Sequence, residues 1–279
     1  MTSDEAPAPN AGGAGKAWPP AFDTSVANQA RIYDYLLGGK DNYAADRAAA
    51  EAALKVYPEW GFTARANRAF LGRAVRYLTA EAGIRQFLDI GTGIPTAGNT
   101  HQVAQAIAPE ARVVYVDYDP IVLAHARALL VSHAAGATDY IDADLRDTGK
   151  ILGEAAELLD FAKPVAVTLI AILHAIPDAD DPHAIVATVM DALGPGSHLA
   201  LSHLGREFVA PETLQEVEGV SSRMIQGQFA WRSREQVERF FAGMDLVAPG
   251  LVRVEEWRPE PGSGEAGESP LWCAVGRKR

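Results

Sequence analysis

The stretch QFLDIGTGIPTAGNTH, Gln86 to His101, carries the reading of the fold. An apolar run closes on Asp89, and Gly91-Thr92-Gly93 and Ile94-Pro95 follow. A short apolar run that ends in glycines reads as a buried strand, and AGNTHQVAQAIA after it reads as a helix. A glycine turn between strand and helix commonly seats a nucleotide. The dinucleotide fingerprint G-x-G-x-x-G/A is met at Gly91 and Gly93, but its third small position falls on Thr96.

On either side of this turn, strands alternate with helices. The strands are RQFLDIG, ARVVYVDYD, TDYIDAD, PVAVTLIAIL and GSHLALSHL, with helical segments between them. That alternation predicts a parallel sheet covered on both faces, and right-handed crossovers make it doubly wound. Toward the C-terminus, PETLQEVEGVSSRMIQGQ and SREQVERFFAGM read as helices. LVAPGLVRVEEW and LWCAVG then read as two strands joined by the solvated loop RPEPGSGEAGESP, which brings the sheet to seven strands. Before the turn, residues 21–83 are helical. Asp23, Thr24 and Ser25 are candidate N-caps of a first helix that Gly38-Gly39 stops. A second helix runs to near Pro58 and a third to Gly83. Residues 1–20, rich in Ala, Pro and Gly, have the composition of a disordered tail.

The chain has 279 residues and a formal net charge of −11, which argues against a nucleic-acid binder that relies on bulk electrostatics. Its single cysteine, Cys273, excludes an intrachain disulfide and a multi-cysteine zinc site. Neither a membrane-length apolar run nor a signal-peptide core is present, so a cytoplasmic protein is expected. No grouping of side chains has metal-ligand spacing.

Asp89 separates the candidate ligands. It ends its strand where open α/β sheets bind them, and a carboxylate there opposes a pyrophosphate but suits a cation. S-adenosylmethionine has no phosphate and carries an ammonium and a sulfonium against one carboxylate. The D-x-G-x-G turn therefore suits it better than NAD, although an Asp that merely caps the turn would look the same. Asp117 ends the next strand and is placed to accept from ribose hydroxyls, a role for which Asp119 is the rival. In YIDADLRD, Asp144 or Asp142 is a candidate for an adenine amino group.

FLDIGTG, VYVDYDP, DADLRD and AILHAIPD stand in the order and spacing of class I S-adenosylmethionine-dependent methyltransferases, which the chain resembles. It is similar, more closely, to an actinobacterial family of such enzymes. ARIYDYLLGGKDNYAADR, ANRAFLGRAVRYL and QFLDIGTGIPTAGNTHQVAQ carry that likeness, over roughly residues 22–279. The resemblance implies a Rossmann-like domain over 84–279 whose last strand is antiparallel, under a helical cap over 21–83. It implies that Asp89, Gly91 and Gly93 line the methionine end of S-adenosyl-L-methionine. Asp117 takes the ribose, Asp144 with the backbone of Leu145 takes the adenine, and Thr92 and Tyr118 belong to the same cofactor site. About the methyl acceptor it implies little beyond a small molecule, with neither nucleic acid nor membrane as partner.

Methyl transfer from a sulfonium needs approach geometry and a dry site more than it needs a base. The base candidate is His174, just past the most apolar strand; a histidine bonded to a loop carbonyl is the alternative. In RIYDYLLGGKDNY, Tyr33 or Tyr35 is a candidate to face the sulfonium from a lid hinged at Gly38-Gly39, against the plainer reading of a helical hairpin. A non-catalytic cofactor-binding protein and an NAD(P)-dependent oxidoreductase are the competing functions. The oxidoreductase predicts a small residue at position 96 and a strand end free of acid, and neither is present.

Overall fold

Successive residues of a strand point to opposite faces, so a run that is apolar at every position needs cover on both sides. Strand β1 (Gln86–Ile90) shows this directly: all five residues are buried. Leu88 and Ile90 join one core cluster and Phe87 the other. Strands β2 (Arg112–Asp117), β3 (Ala137–Asp142), β4 (Ala166–Ile170) and β5 (His198–Leu204) run parallel to it. The computed structural model describes residues 23–129, 132–224, 229–260, 262 and 267–279. The tail expected over 1–20 lies outside them.

Strand order is β3-β2-β1-β4-β5-β8-β6, with β8 (Leu271–Lys278) antiparallel to β5. The sheet thus reverses direction of growth between β1 and β4, and the ends of those strands flank the crevice where such sheets take ligands. The expected sixth strand is split. β6 (Met244–Leu246) and β7 (Val252–Arg253) lie end to end along β8. Pro249, which has no N–H to give a ladder, and Gly250 at φ +89° interrupt them.

One face is covered by α6 (Thr148–Ala155), α7 (Pro182–Asp191) and α9 (Arg234–Glu238), the other by α3 (Trp60–Ala80), α4 (Thr100–Ile107) and α8 (Pro211–Met224). Helix α5 (Pro120–Leu129) follows β2. Helix α3 therefore belongs to the covering layer, because Phe70, Ala74, Val75 and Leu78 are buried against the sheet. The division expected at residue 83 crosses that layer. Only α1 (Gln29–Leu36) and α2 (Ala44–Val56) form a separate hairpin, and it rests on α3 and α8.

The hairpin is fixed by polar bonds. Asn28, rather than the expected Asp23, Thr24 or Ser25, caps α1 by accepting from the N–H groups of Ala30 and Arg31. Arg31 and Asp46 form a buried ion pair at 2.8 Å. Asp46 also accepts from the N–H groups of Asn28 and Tyr43. Asp34 accepts from the Asp41 N–H and the Asn42 amide. A Cβ on Gly39 would lie 2.0 Å from an Asp34 carboxylate oxygen. The second glycine is thus a close approach, and the expected hinge at Gly38-Gly39 is a pinned turn.

Candidate active site

Three strand ends and the hairpin enclose one cavity at the reversal of the sheet, lined by Asp89, Gly91, Thr92, Gly93, Asp117 and Tyr118 among others. Gly91 has φ +75°, and a Cβ there would come within 2.5 Å of Ile172, so the turn passes tightly under the β4 loop. Its N–H and that of Thr92 donate to the Val116 carbonyl. Gly93 has φ +66° with no atom within 4 Å of where its Cβ would stand, and its N–H donates to Asp117 at 2.9 Å. Helix α4 starts at Thr100, three residues later than the sequence suggests. Asn99 and Gln102 form a reciprocal capping box that fixes that start.

Asp89 is buried at the base of the cavity. Its two oxygens accept from the hydroxyls of Thr100 (2.6 Å) and Thr168 (2.7 Å). Burial pushes its carboxyl above the usual range, against those two bonds. Burial likewise raises Asp117, which accepts from the N–H groups of Gly93 and Asp119. Asp119 accepts from the Ile121 N–H and so tethers the start of α5. Tyr118 stands 58% exposed on the rim, beside Asp117 and Asp119.

Asp144 and Leu145 are not among the lining residues. The Asp144 carboxylate is held by the Arg146 guanidinium, chiefly through side-chain bonds that lower its pKa, and Arg146 also reaches Asp180. It still lies near enough to act on the Tyr118 hydroxyl electrostatically. The Leu145 side chain is in the core. Asp142, the alternative, ends β3 paired with Asp117 in register.

Of the two candidate tyrosines, Tyr33 lines the cavity while its hydroxyl donates to the Ala64 carbonyl and accepts from Asn67. Tyr35 does not line it. One helical residue-pair apart they face different sides of α1, and Tyr35 packs within the hairpin with its hydroxyl on Glu51. The sulfonium-facing role expected of Tyr35 is therefore corrected.

His174 lies in the cavity wall, in a short 3-10 turn after β4. The His203 and Phe229 rings meet it edge-on at 6.0 and 5.0 Å. Burial, with the Arg232 cation nearby, lowers its pKa to about 3. An effective base titrates near the working pH, so in the empty cavity the His174 ring is neutral and a weak base. Sequence reading missed Arg232. It is 1% exposed and donates to the carbonyls of Leu173 and Ile176, to His203 Nε2 and to Asp178, which fixes the His174 turn. Its only signal was an arginine beside an aromatic in FAWRS, which says nothing of burial.

Arg68 was missed too. It projects from α3, donates to the Asn99 side chain and the Ala97 carbonyl, and keeps a buried Nε without a hydrogen-bond partner. It is the single Arg or Lys among the cavity's described lining residues. These groups fit S-adenosylmethionine. An open cradle stands over Gly93, a half-buried cation whose buried Nε is uncommitted suits a carboxylate, and acids at two strand ends suit an ammonium and a ribose.

A mostly parallel sheet with an antiparallel last strand, and this cavity at its reversal, define a class I S-adenosylmethionine-dependent methyltransferase. The family model for S-adenosyl methyltransferases matches residues 16–279, and the chain belongs to that family. The crystal structure of a DUF574 family protein from Streptomyces avermitilis MA-4680 is 44% identical, with TM-score 0.88 over 92% of this chain and 99% of that one. A proposed methyltransferase from Thermobifida fusca YX is 41% identical, with TM-score 0.84 over 94% and 99%. An O-methyltransferase family protein from Burkholderia thailandensis, 13% identical with TM-score 0.50 over 88% and 63%, shares the fold. No curated protein matches the chain at a significant level. No helix among the described residues is long and apolar enough to cross a membrane.

Proposed function

We propose that this methyltransferase acts on a small-molecule acceptor, with the cofactor extended across the reversal of the sheet. The observation that carries this reading is the convergence of Asp89, Asp117, the Gly91–Gly93 turn and Arg68 on one roofed cavity. Arg68 holds the methionine carboxylate, Asp89 acts at the ammonium end, and Asp117 accepts from the ribose. Tyr118 covers the adenine, with Asp144 and the backbone of Leu145 at its edge. Tyr33 closes the cavity from the hairpin. S-adenosylmethionine supplies, when bound, a sulfonium methyl whose carbon–sulfur electron pair stays on sulfur as the methyl leaves.

The chain's own contribution is geometric. The α1–α2 hairpin excludes water, and His174 in the cavity wall faces the acceptor. The roof supports a small acceptor, since a folded protein or a duplex cannot reach beneath it. A calorimetric comparison tests the cofactor placement. Arg68→Gln is expected to weaken S-adenosylhomocysteine by about 10- to 150-fold, the equivalent of roughly 1.5–3 kcal/mol for a charged hydrogen bond. It should leave 5′-methylthioadenosine, which lacks the carboxylate, within about twofold of wild type. Equal losses for both ligands would place Arg68 away from the methionine end.

A further inference from the structure

The cavity continues past the cofactor residues, between α3 and α8 beneath the hairpin. Leu36, Ala49 and Ala53 line it from above, and Val217, Val220 and Phe229 from the side. Every charged residue of the described lining (Arg68, Asp89, Asp117 and Asp119) stands on the glycine-turn half or at the β1 and β2 ends. The hairpin half contains none.

Helix α3 runs from one half to the other. Trp60, Thr63, Ala64, Asn67 and Arg68 line the cavity along one helical stripe. At 1.5 Å per residue, Trp60 stands about 12 Å, two turns, from Arg68. Arg68 is anchored on the loop before α4, and Trp60 packs on Trp231 at 6.2 Å. The polar side chains between them are only partly committed. Asn67 binds Tyr33 and Ser202. Thr63 is 4% exposed with a hydroxyl that makes no hydrogen bond, and Trp60 Nε1 and His174 Nδ1 are buried in the same state. Buried polar groups are almost always paired, and three unpaired ones lining one cavity, two from α3 and one from the turn after β4, mark a place where a ligand completes them.

We propose, building on the methyltransferase reading, that the methyl acceptor is an uncharged, largely apolar molecule seated between α3 and α8, with its few hydrogen-bonding atoms toward Thr63, Trp60 and His174. An aromatic or alicyclic scaffold fills such a chamber. An acceptor with a carboxylate, phosphate or ammonium on that part would bury a charge with no counter-charge, which is strongly unfavourable.

A matched pair of fluorescent probes tests this with the full chain saturated by S-adenosylhomocysteine. N-phenyl-1-naphthylamine is neutral, and 1-anilinonaphthalene-8-sulfonate is the same scaffold with one anionic group. The neutral probe is expected to bind saturably, at one site, at least tenfold more tightly than the sulfonate. Val220→Phe and Ala53→Leu, which fill the chamber from opposite walls, should each weaken the neutral probe at least tenfold while S-adenosylhomocysteine affinity stays within about twofold. Should a filled variant fail to fold, the wild-type ratio of the two probes still decides. The inference is overturned if the neutral probe does not saturate, if the sulfonate binds equally well, or if the folded variants retain the probe. Loss of S-adenosylhomocysteine binding by the wild-type protein would instead overturn the cofactor reading beneath it.

Discussion

Two stretches of this chain combine glycines with polar residues: Arg31–Arg47 in the hairpin and Asp89–Asn99 after β1. They do opposite things with those groups. In the hairpin, Arg31, Asp34, Asn42, Asp46 and Arg47 bond to one another and to nearby backbone. Gly39 is present because Asp34 occupies the place of a side chain. After β1, the backbone is held from below by the Val116 carbonyl and from behind by Arg68, and the space over Gly93 is open. A polar motif thus marks a scaffold when its hydrogen bonds close on themselves, and a site when the surrounding layers leave one face uncovered.

Breaking the closed network should give the largest effect. Asp46→Ala leaves Arg31, buried at 4% side-chain exposure, without its carboxylate. Removing one partner of a buried pair costs about 3–5 kcal/mol, and that loss should appear in denaturant unfolding. A loss below about 1 kcal/mol would show that the hairpin is held by its apolar contacts alone.

The second effect comes from acid and acts on the opposite wall. Burial, and after it neighbouring cationic groups, lowers the pKa of His174 to about 3 and that of His203 well below its ordinary value. The unfolded chain therefore binds more protons below about pH 6.5, and stability rises with pH through that window. It is fully present above 6.5 and is lost on acidification at about 1.4 kcal/mol per pH unit for each ring. Unfolding free energies at pH 7 and pH 5 should thus differ by roughly 2 kcal/mol from His174, with His203 adding in the same direction. His203→Gln should reduce the slope by one proton, and an unchanged slope would mean that the rings titrate normally.

At the open end the effects fall on affinity. Asp117→Ala should weaken S-adenosylhomocysteine by about 10- to 150-fold in calorimetric titration. Asp119→Ala should change that affinity by less than about threefold, while costing roughly 0.5–2 kcal/mol of stability as a helix cap. The reverse order would assign the ribose to Asp119. The smallest expected change is for Asp144→Ala. Its carboxylate is partly exposed and already shared with Arg146, so an affinity loss of about two- to tenfold is expected for one net hydrogen bond. A loss as large as that of Asp117→Ala would mean that Asp144 leaves Arg146 when the adenine arrives.

Strand and helix succession was legible because apolar periodicity follows burial, and a doubly wound sheet buries nearly every residue of β1 and β5. The acids at the ends of β1 and β2 were legible for a related reason: a carboxylate that closes an apolar run is costly unless something is gained there. Asp89, Gly91, Gly93 and Asp117 could therefore be singled out as candidates, and all four line the cavity. The break between β6 and β7 was partly visible as Pro249-Gly250, two residues that interrupt a ladder.

Arg68, Thr63, Trp60 and Arg232 could not be found this way, since arginine or threonine on an amphipathic helix has the same local pattern whether it faces solvent or a cavity. Tyr33 and Tyr35, two residues apart, carried equal local signals, and the packing of α1 on α2 and α3 separated them. Nor does spacing reveal the lowered pKa of His174, because burial and the approach of Arg232, 58 positions away in sequence, cause it. Strand succession, the glycine turn and the acids at the strand ends thus follow from neighbours along the chain. Which polar groups remain unpaired around the acceptor chamber depends on packing, because pairing is set by distances between segments far apart in the sequence.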